Sequence, residues 1–178
     1  MFNIAKEDVA RYYQICKRDK THITSFDVIR VFFGFKLTPV LVFRMINFFY
    51  RKKIPILGKL LSLVNFIFFG IEIANNCCIG GGFFIPHSQG IVIGATSIGK
   101  NATIYQQVTL GAKNIDIPFN PQNRPSLGDN VVVASGAKVL GGIVIGNNVI
   151  IAANAVVTKS VEDNVVLAGI PATVIKRI

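Results

Sequence analysis

The stretch "LGDNVVVASGAKVLGGIVIGNNVIIAANAVVTKSVE" (residues 127–162) divides into six units of six residues: LGDNVV, VASGAK, VLGGIV, IGNNVI, IAANAV and VTKSVE. Each opens on Leu, Val or Ile. A unit this short cannot bury its own apolar face, so a sustained period means that units stack on one another as a solenoid. Six residues suit one short extended rung and a tight turn. The aliphatic residue points inward, and the Gly, Asn or Asp beside it tolerates the left-handed backbone of the turn. Three rungs close one triangular coil. A series of ordinary strands would be spaced more widely and less regularly.

The same period extends upstream to Ile73, through IANNCC, IGGGFF, IPHSQG, IVIGATS (one residue over), IGKNAT, IYQQVT and LGAKNI. It is interrupted by "GAKNIDIPFNPQNRP" (111–125), which is too long for a turn and carries prolines foreign to a rung. A loop thrown out of a rigid scaffold is a common carrier of binding residues.

Residues 1–71 are different. Twelve Lys or Arg stand against four acids there, a net +8 of the +10 on the 178-residue chain. The N-terminus is polar and unlike a signal peptide. The apolar runs 31–49 and 54–71 are broken by Lys36, Pro39, Arg44 and Lys59, and fall short of the roughly 20 apolar residues that a membrane span needs. Helices are expected over about 5–18, 24–50 and 55–70, amphipathic or nearly all apolar. The basic front attracts an anionic surface, and without an aromatic-and-basic nucleic-acid motif a membrane ranks above nucleic acid. Cys16, Cys77 and Cys78 have neither disulfide-framework nor metal-ligand spacing, as expected of reduced thiols in a cytoplasmic protein with no metal.

His87, in "FFIPHSQGIVIG", is one of two histidines, with His22. An imidazole is the side chain best suited to take a proton near neutrality, but an isolated one reads first as a surface histidine. Glu72 stands fifteen residues earlier, three short of one coil, which places it on a neighbouring level around a corner from His87.

The segments "EIANNCCIGGGFFIPHSQGIVIG", "QQVTLGA", "RPSLGDNVVVASGAKVLGG" and "VLAGIPATVIKR" resemble the hexapeptide-repeat acyltransferases, within them the serine O-acetyltransferase and polysaccharide O-acetyltransferase branch. The resemblance covers residues 72–178 and implies a mainly β fold, a left-handed parallel β-helix of hexapeptide repeats, behind a small α-helical region (1–71). It implies acetyl-CoA as co-substrate, His87 as general base on an acceptor hydroxyl, and Glu72 as the acid that orients it. Gly111, Ala112, Ser135, Gly136 and Ala153 match the small positions along which pantetheine lies. Lys159 and Lys176 (or Arg177) fall where the nucleotide phosphates would be met, and the amide near Ala112 where a thioester oxyanion would be steadied. Gln106 and Arg124 fall on the acceptor side. Two positions depart from the serine enzymes: Pro86 replaces their Asp before the histidine, and Arg124 replaces the His of their "RHP". Both changes weaken a small amino-acid pocket and favour a sugar hydroxyl of a cell-surface polysaccharide as acceptor. Serine is the enzyme alternative and a non-catalytic scaffold the distant one. A homotrimer is implied, with a dimer of trimers as a larger assembly, and residues 1–71 as a membrane or subunit contact.

Overall fold

The computed structural model describes residues 2–18, 20 and 22–178. Four helices come first: α1 (Phe2–Ile15), α2 (Ser25–Phe32), α3 (Thr38–Arg51) and α4 (Pro55–Phe69). The single helix expected over 24–50 is two. Phe35 adopts φ +62, which ends the first, and Pro39 occupies the first turn of α3, where its missing N–H costs nothing. Helix α2 opens on a capping box between Thr24 and Asp27. Lys20, then Thr24, hold the Asp27 carboxyl far below the usual carboxylate range. A depressed folded-state pKa stabilises above the unfolded value, so this cap is intact near neutrality and is lost as acid is added below the ordinary carboxylate range.

From Ile71 the chain winds as a three-faced parallel β-helix. Its first face stacks β1 (Ile71–Ile73), β3 (Ile91–Ile93), β6 (Thr109–Gly111), β9 (Lys138–Leu140) and β12 (Val156–Val157). The second stacks β2 (Cys78–Ile79), β4 (Ser97–Ile98), β7 (Ser126–Leu127) and β10 (Val144–Ile145). The third stacks β5 (Thr103–Ile104), β8 (Val132–Val133), β11 (Ile150–Ile151) and β13 (Val165–Gly169), and closes on the antiparallel β14 (Ala172–Arg177). The rung-opening aliphatics fill the interior: Ile98, Ile104, Leu110, Leu127, Val133, Val139, Ile145 and Ile151 are all buried.

Where the period slips is now visible. Phe84 pairs with Thr103 and Val92 with Thr109, so the corner between them takes eight residues in the first coil against six in the next. His87 lies in this enlarged corner. The one-residue excess expected in IVIGATS is instead a deficit, since Val92 to Ser97 spans five residues where Glu72 to Cys78 spans six. The third anomaly is the 111–125 loop: Thr109 to Ser126 takes seventeen residues where Lys138 to Val144 takes six.

Two side-chain devices set the coil spacing. Asn101, Asn130, Asn148 and Asn164 share a corner, all at positive φ, each carboxamide donating to the next at 2.8–3.2 Å. Gly80, Gly99, Gly128 and Gly146 form a second column, in which a Cβ on Gly128 would lie 2.9 Å from the Gly146 backbone. Gly128→Ala is therefore expected to cost about 1–3 kcal/mol through overpacking, read as a lower urea midpoint.

The open N-terminal end of the β-helix is closed by charge. Asp8 of α1 and Arg44 of α3 are both buried and pair at 2.8 and 3.0 Å. Asp8 also accepts from the Phe83 amide, and Arg44 donates to the Ile79 and Gly80 carbonyls. Arg11 donates to the carbonyls of Gly82 and Ala102 and to the Thr103 hydroxyl. Backbone groups that a further coil would have met are met by this cluster.

Beneath it, burial pushes the Cys77 thiol up to about 12, the adjacent Cys78 adding to the shift and Arg44 opposing it. Because the thiolate is the nucleophile, iodoacetamide at neutral pH should label the exposed Cys16 and Cys78 and spare Cys77. Equal labelling of Cys77 in the native protein would contradict this closure.

Candidate active site

The edge where the third face turns into the first carries five of the eleven residues that the sequence singles out: His87, Gln106, Ser135, Gly136 and Ala153. Its coils are joined by amides donating to carbonyls one level away: Gly90 to Gly70, Gln107 to Gln89, Gly136 to Gln106 and Asn154 to Ser135, at 2.9–3.0 Å. His87 sits at the foot of this edge, exposed, in the corner with two surplus residues. Gln106 lies one coil up, Ser135 and Gly136 on the next, and Ala153 above them. One straight edge therefore presents an imidazole at its base and small residues along its length, where an extended ligand can approach the backbone.

Gln106 adds a detail. Its side-chain Oε1 is buried and has no hydrogen-bond partner. A buried acceptor left unpaired costs about 1–3 kcal/mol, so a donor brought to this position is favoured. Lys138, which no sequence motif marks, also belongs to this edge: from β9 its ammonium donates to the Gln107 and Gly136 carbonyls, at 2.6 and 3.0 Å. The only signal for it was a lysine at an outward rung position.

Glu72, on β1, lies beside the same edge on the first face, one level below Val92. It is exposed, and neither it nor His87 joins the ion pairs among the described residues. The chain thus brings the two to one corner without joining them. Glu72 also lines a cavity of about 460 Å³ beneath α4, with Lys59, Ser62, Phe66 and Asn75.

Gly111 and Ala112 lie at the other end of β6, on the edge between the first and second faces. A Cβ on Gly111 would meet nothing within 4 Å, so this backbone is open to a ligand. The extruded loop leaves here and is well knit. Asp116 accepts from the Asn120 amide and from Arg124 Nε at 2.9 Å, and a 3-10 turn follows at Pro121–Asn123. The Arg124 guanidinium stacks 4.2 Å from the Phe119 ring and donates to the carbonyls of Asp116 and Gly94. Arg124, which the resemblance puts on the acceptor side, pins the loop on the coil through these bonds. The strand β3 separates it from His87. Gly142 lets the loop fold back, because a Cβ there would fall 1.8 Å from the Gln122 carbonyl oxygen. Lys159 and Lys176 are exposed, beyond β12 and on β14.

A parallel β-helix of six-residue rungs with a histidine thrown out of one edge defines the class as hexapeptide-repeat transferases. A model of the family "Bacterial transferase hexapeptide (six repeats)" matches residues 124–159. Over 175 residues the chain is 35% identical to a serine acetyltransferase of Bacillus pumilus, covering 98% of the chain and 77% of that relative. It is 46% identical over 129 residues to a serine acetyltransferase of Staphylococcus xylosus, covering 72% of the chain and spanning only 58% of that relative's length. The crystal structure of a serine acetyltransferase from Brucella abortus in complex with coenzyme A superposes with a TM-score of 0.78 at 26% identity, over 98% of the chain and 67% of that structure. The chain belongs to the serine acetyltransferase family of hexapeptide-repeat transferases, and its solenoid is their left-handed parallel β-helix.

Proposed function

We propose that this chain transfers the acetyl group of acetyl-CoA to a hydroxyl, with His87 as general base. The observation that carries the reading is the exposed His87 at the foot of the Gln106–Ser135–Gly136–Ala153 edge, in a chain 35% identical to a serine acetyltransferase over nearly its whole length. The imidazole takes the proton of the acceptor hydroxyl, and the oxygen attacks the thioester carbonyl carbon. The tetrahedral oxyanion collapses, the C–S bond breaks, and the imidazolium returns the proton to the departing CoA sulfur. Glu72, on β1 beside this corner, steadies the imidazolium. Pantetheine runs along the small-residue edge, and Lys159 and Lys176 supply cations for the nucleotide phosphates.

Relatives named serine acetyltransferases support L-serine over the saccharide acceptor expected from the sequence. Pro86 and Arg124 are the specific observations that keep a saccharide hydroxyl as the second reading. CoA release by the purified protein, offered L-serine or a panel of oligosaccharides, tests both. The expected result is turnover with L-serine at a kcat/KM of about 10⁴ M⁻¹s⁻¹ or above. Turnover confined to saccharides would transfer the assignment to them, and turnover with neither would remove it.

A trimer completes the reading. Ile115 and Ile117 project from the loop at 94% and 89% exposure. Apolar side chains held out on so ordered a loop suit packing against the edge of a neighbouring copy, which would bring a loop to a partner's His87 edge.

A further inference from the structure

The helix α4 is apolar on nearly its whole circumference, yet it buries only Gly58 and Asn65. Gly58 lets it approach α3, and Asn65 donates to the Pro39 carbonyl. Ile56, Leu57, Leu60, Leu63, Val64, Ile67 and Phe68 face outward, with Ile56 and Phe68 each 72% exposed. At 100° per residue these seven occupy one continuous arc with no charge inside it. A patch of this kind on a folded chain marks an interaction surface.

Its surroundings say what covers it. Between Val28 and Ile71 there are seven Lys or Arg and no Asp or Glu. Arg44 is spent on Asp8, which leaves six. Arg51, Lys52 and Lys53 are exposed at the turn that leads directly into α4, and Lys59 flanks the apolar arc. A second copy docked through the same face would set these cations against each other. An anionic surface would pair with all of them.

Among the described residues no helix is long and apolar enough to cross a membrane. The fifteen residues of α4 measure roughly 22 Å at 1.5 Å per residue, short of a bilayer's roughly 30 Å hydrocarbon core. We propose that α4 lies in the plane of an anionic lipid bilayer, its Ile56–Phe68 face in the interface and Arg51, Lys52, Lys53 and Lys59 on the headgroups. This holds whichever acceptor the enzyme uses, and its test reads no acetyl transfer.

The full chain is co-sedimented with vesicles of phosphatidylcholine alone and with vesicles that include phosphatidylglycerol. The expected result is pelleting with the anionic vesicles, weakening as salt rises, and little with the neutral ones. The variant R51Q/K52Q/K53Q should bind about 10–100-fold more weakly. The variant I56E/L60E/I67E, changed only at exposed positions, should lose binding while keeping the native sedimentation mass. Native protein that stays in the supernatant at low salt overturns the proposal. So does equal binding to both vesicle types, or an assembly whose mass falls in the glutamate variant, which would show the face packed on another copy.

Discussion

Replacing His87 by Ala is expected to lower kcat about 10²–10⁴-fold while leaving acetyl-CoA affinity nearly unchanged. The asymmetry follows from placement. His87 stands at the foot of the edge, where the reacting carbonyl and hydroxyl would meet, whereas Ser135, Gly136 and Ala153 offer their backbone higher up. In the proposed mechanism the imidazole moves a proton in the transition state and contributes little to holding the cofactor end of acetyl-CoA. Glu72→Gln should cost less, since it leaves the base in place and removes only its orientation and charge support. Steady-state kinetics with an equilibrium measurement of acetyl-CoA binding separates the two terms. Comparable turnover in His87→Ala would return the residue to the surface histidine that its isolation first suggests.

The second large effect concerns stability. Arg44→Met should destabilise the fold by about 3–5 kcal/mol, because it strands the Asp8 carboxylate in the interior without its partner. For a chain of this size that is a fall in melting temperature of about 6–20 °C. The double variant Asp8→Leu with Arg44→Met should recover part of the loss, since two apolar groups leave no charge uncompensated. The Phe83 amide and the Ile79 and Gly80 carbonyls would still lack partners, so recovery should be incomplete. A single variant as stable as the native protein would show that the helices do not close the β-helix through this pair. Differential scanning calorimetry reads all three.

The β-helix was legible because its period is imposed by stacking. Each inward position must be aliphatic and each corner must accept tight backbone, so chemistry repeats with geometry, as in the Gly80–Gly99–Gly128–Gly146 column. His87 was legible as one of two histidines in the chain, set in a family segment. Its exposure was not: the two surplus residues that push its corner outward appear only when Phe84 is seen paired with Thr103. The Asp8–Arg44 pair was equally hidden, because two charges 36 residues apart on separate helices leave no periodic trace. The engagement of Arg124 within its own loop was hidden for a related reason. The sequence shows an arginine on a loop, but not that Asp116 and Phe119 of the same loop already hold it. The split of the expected 24–50 helix, by contrast, was foreshadowed by Pro39.

The most direct test of the account is a structure of the protein with CoA bound. The CoA sulfur is expected beside His87, with pantetheine running past Gln106 toward Ser135, Gly136 and Ala153. Gln106 Oε1 should then accept a hydrogen bond that it lacks in the free chain. A CoA whose sulfur lies away from His87, with the Gln106 edge bare, would contradict the assignment of this edge as the place where acetyl is transferred.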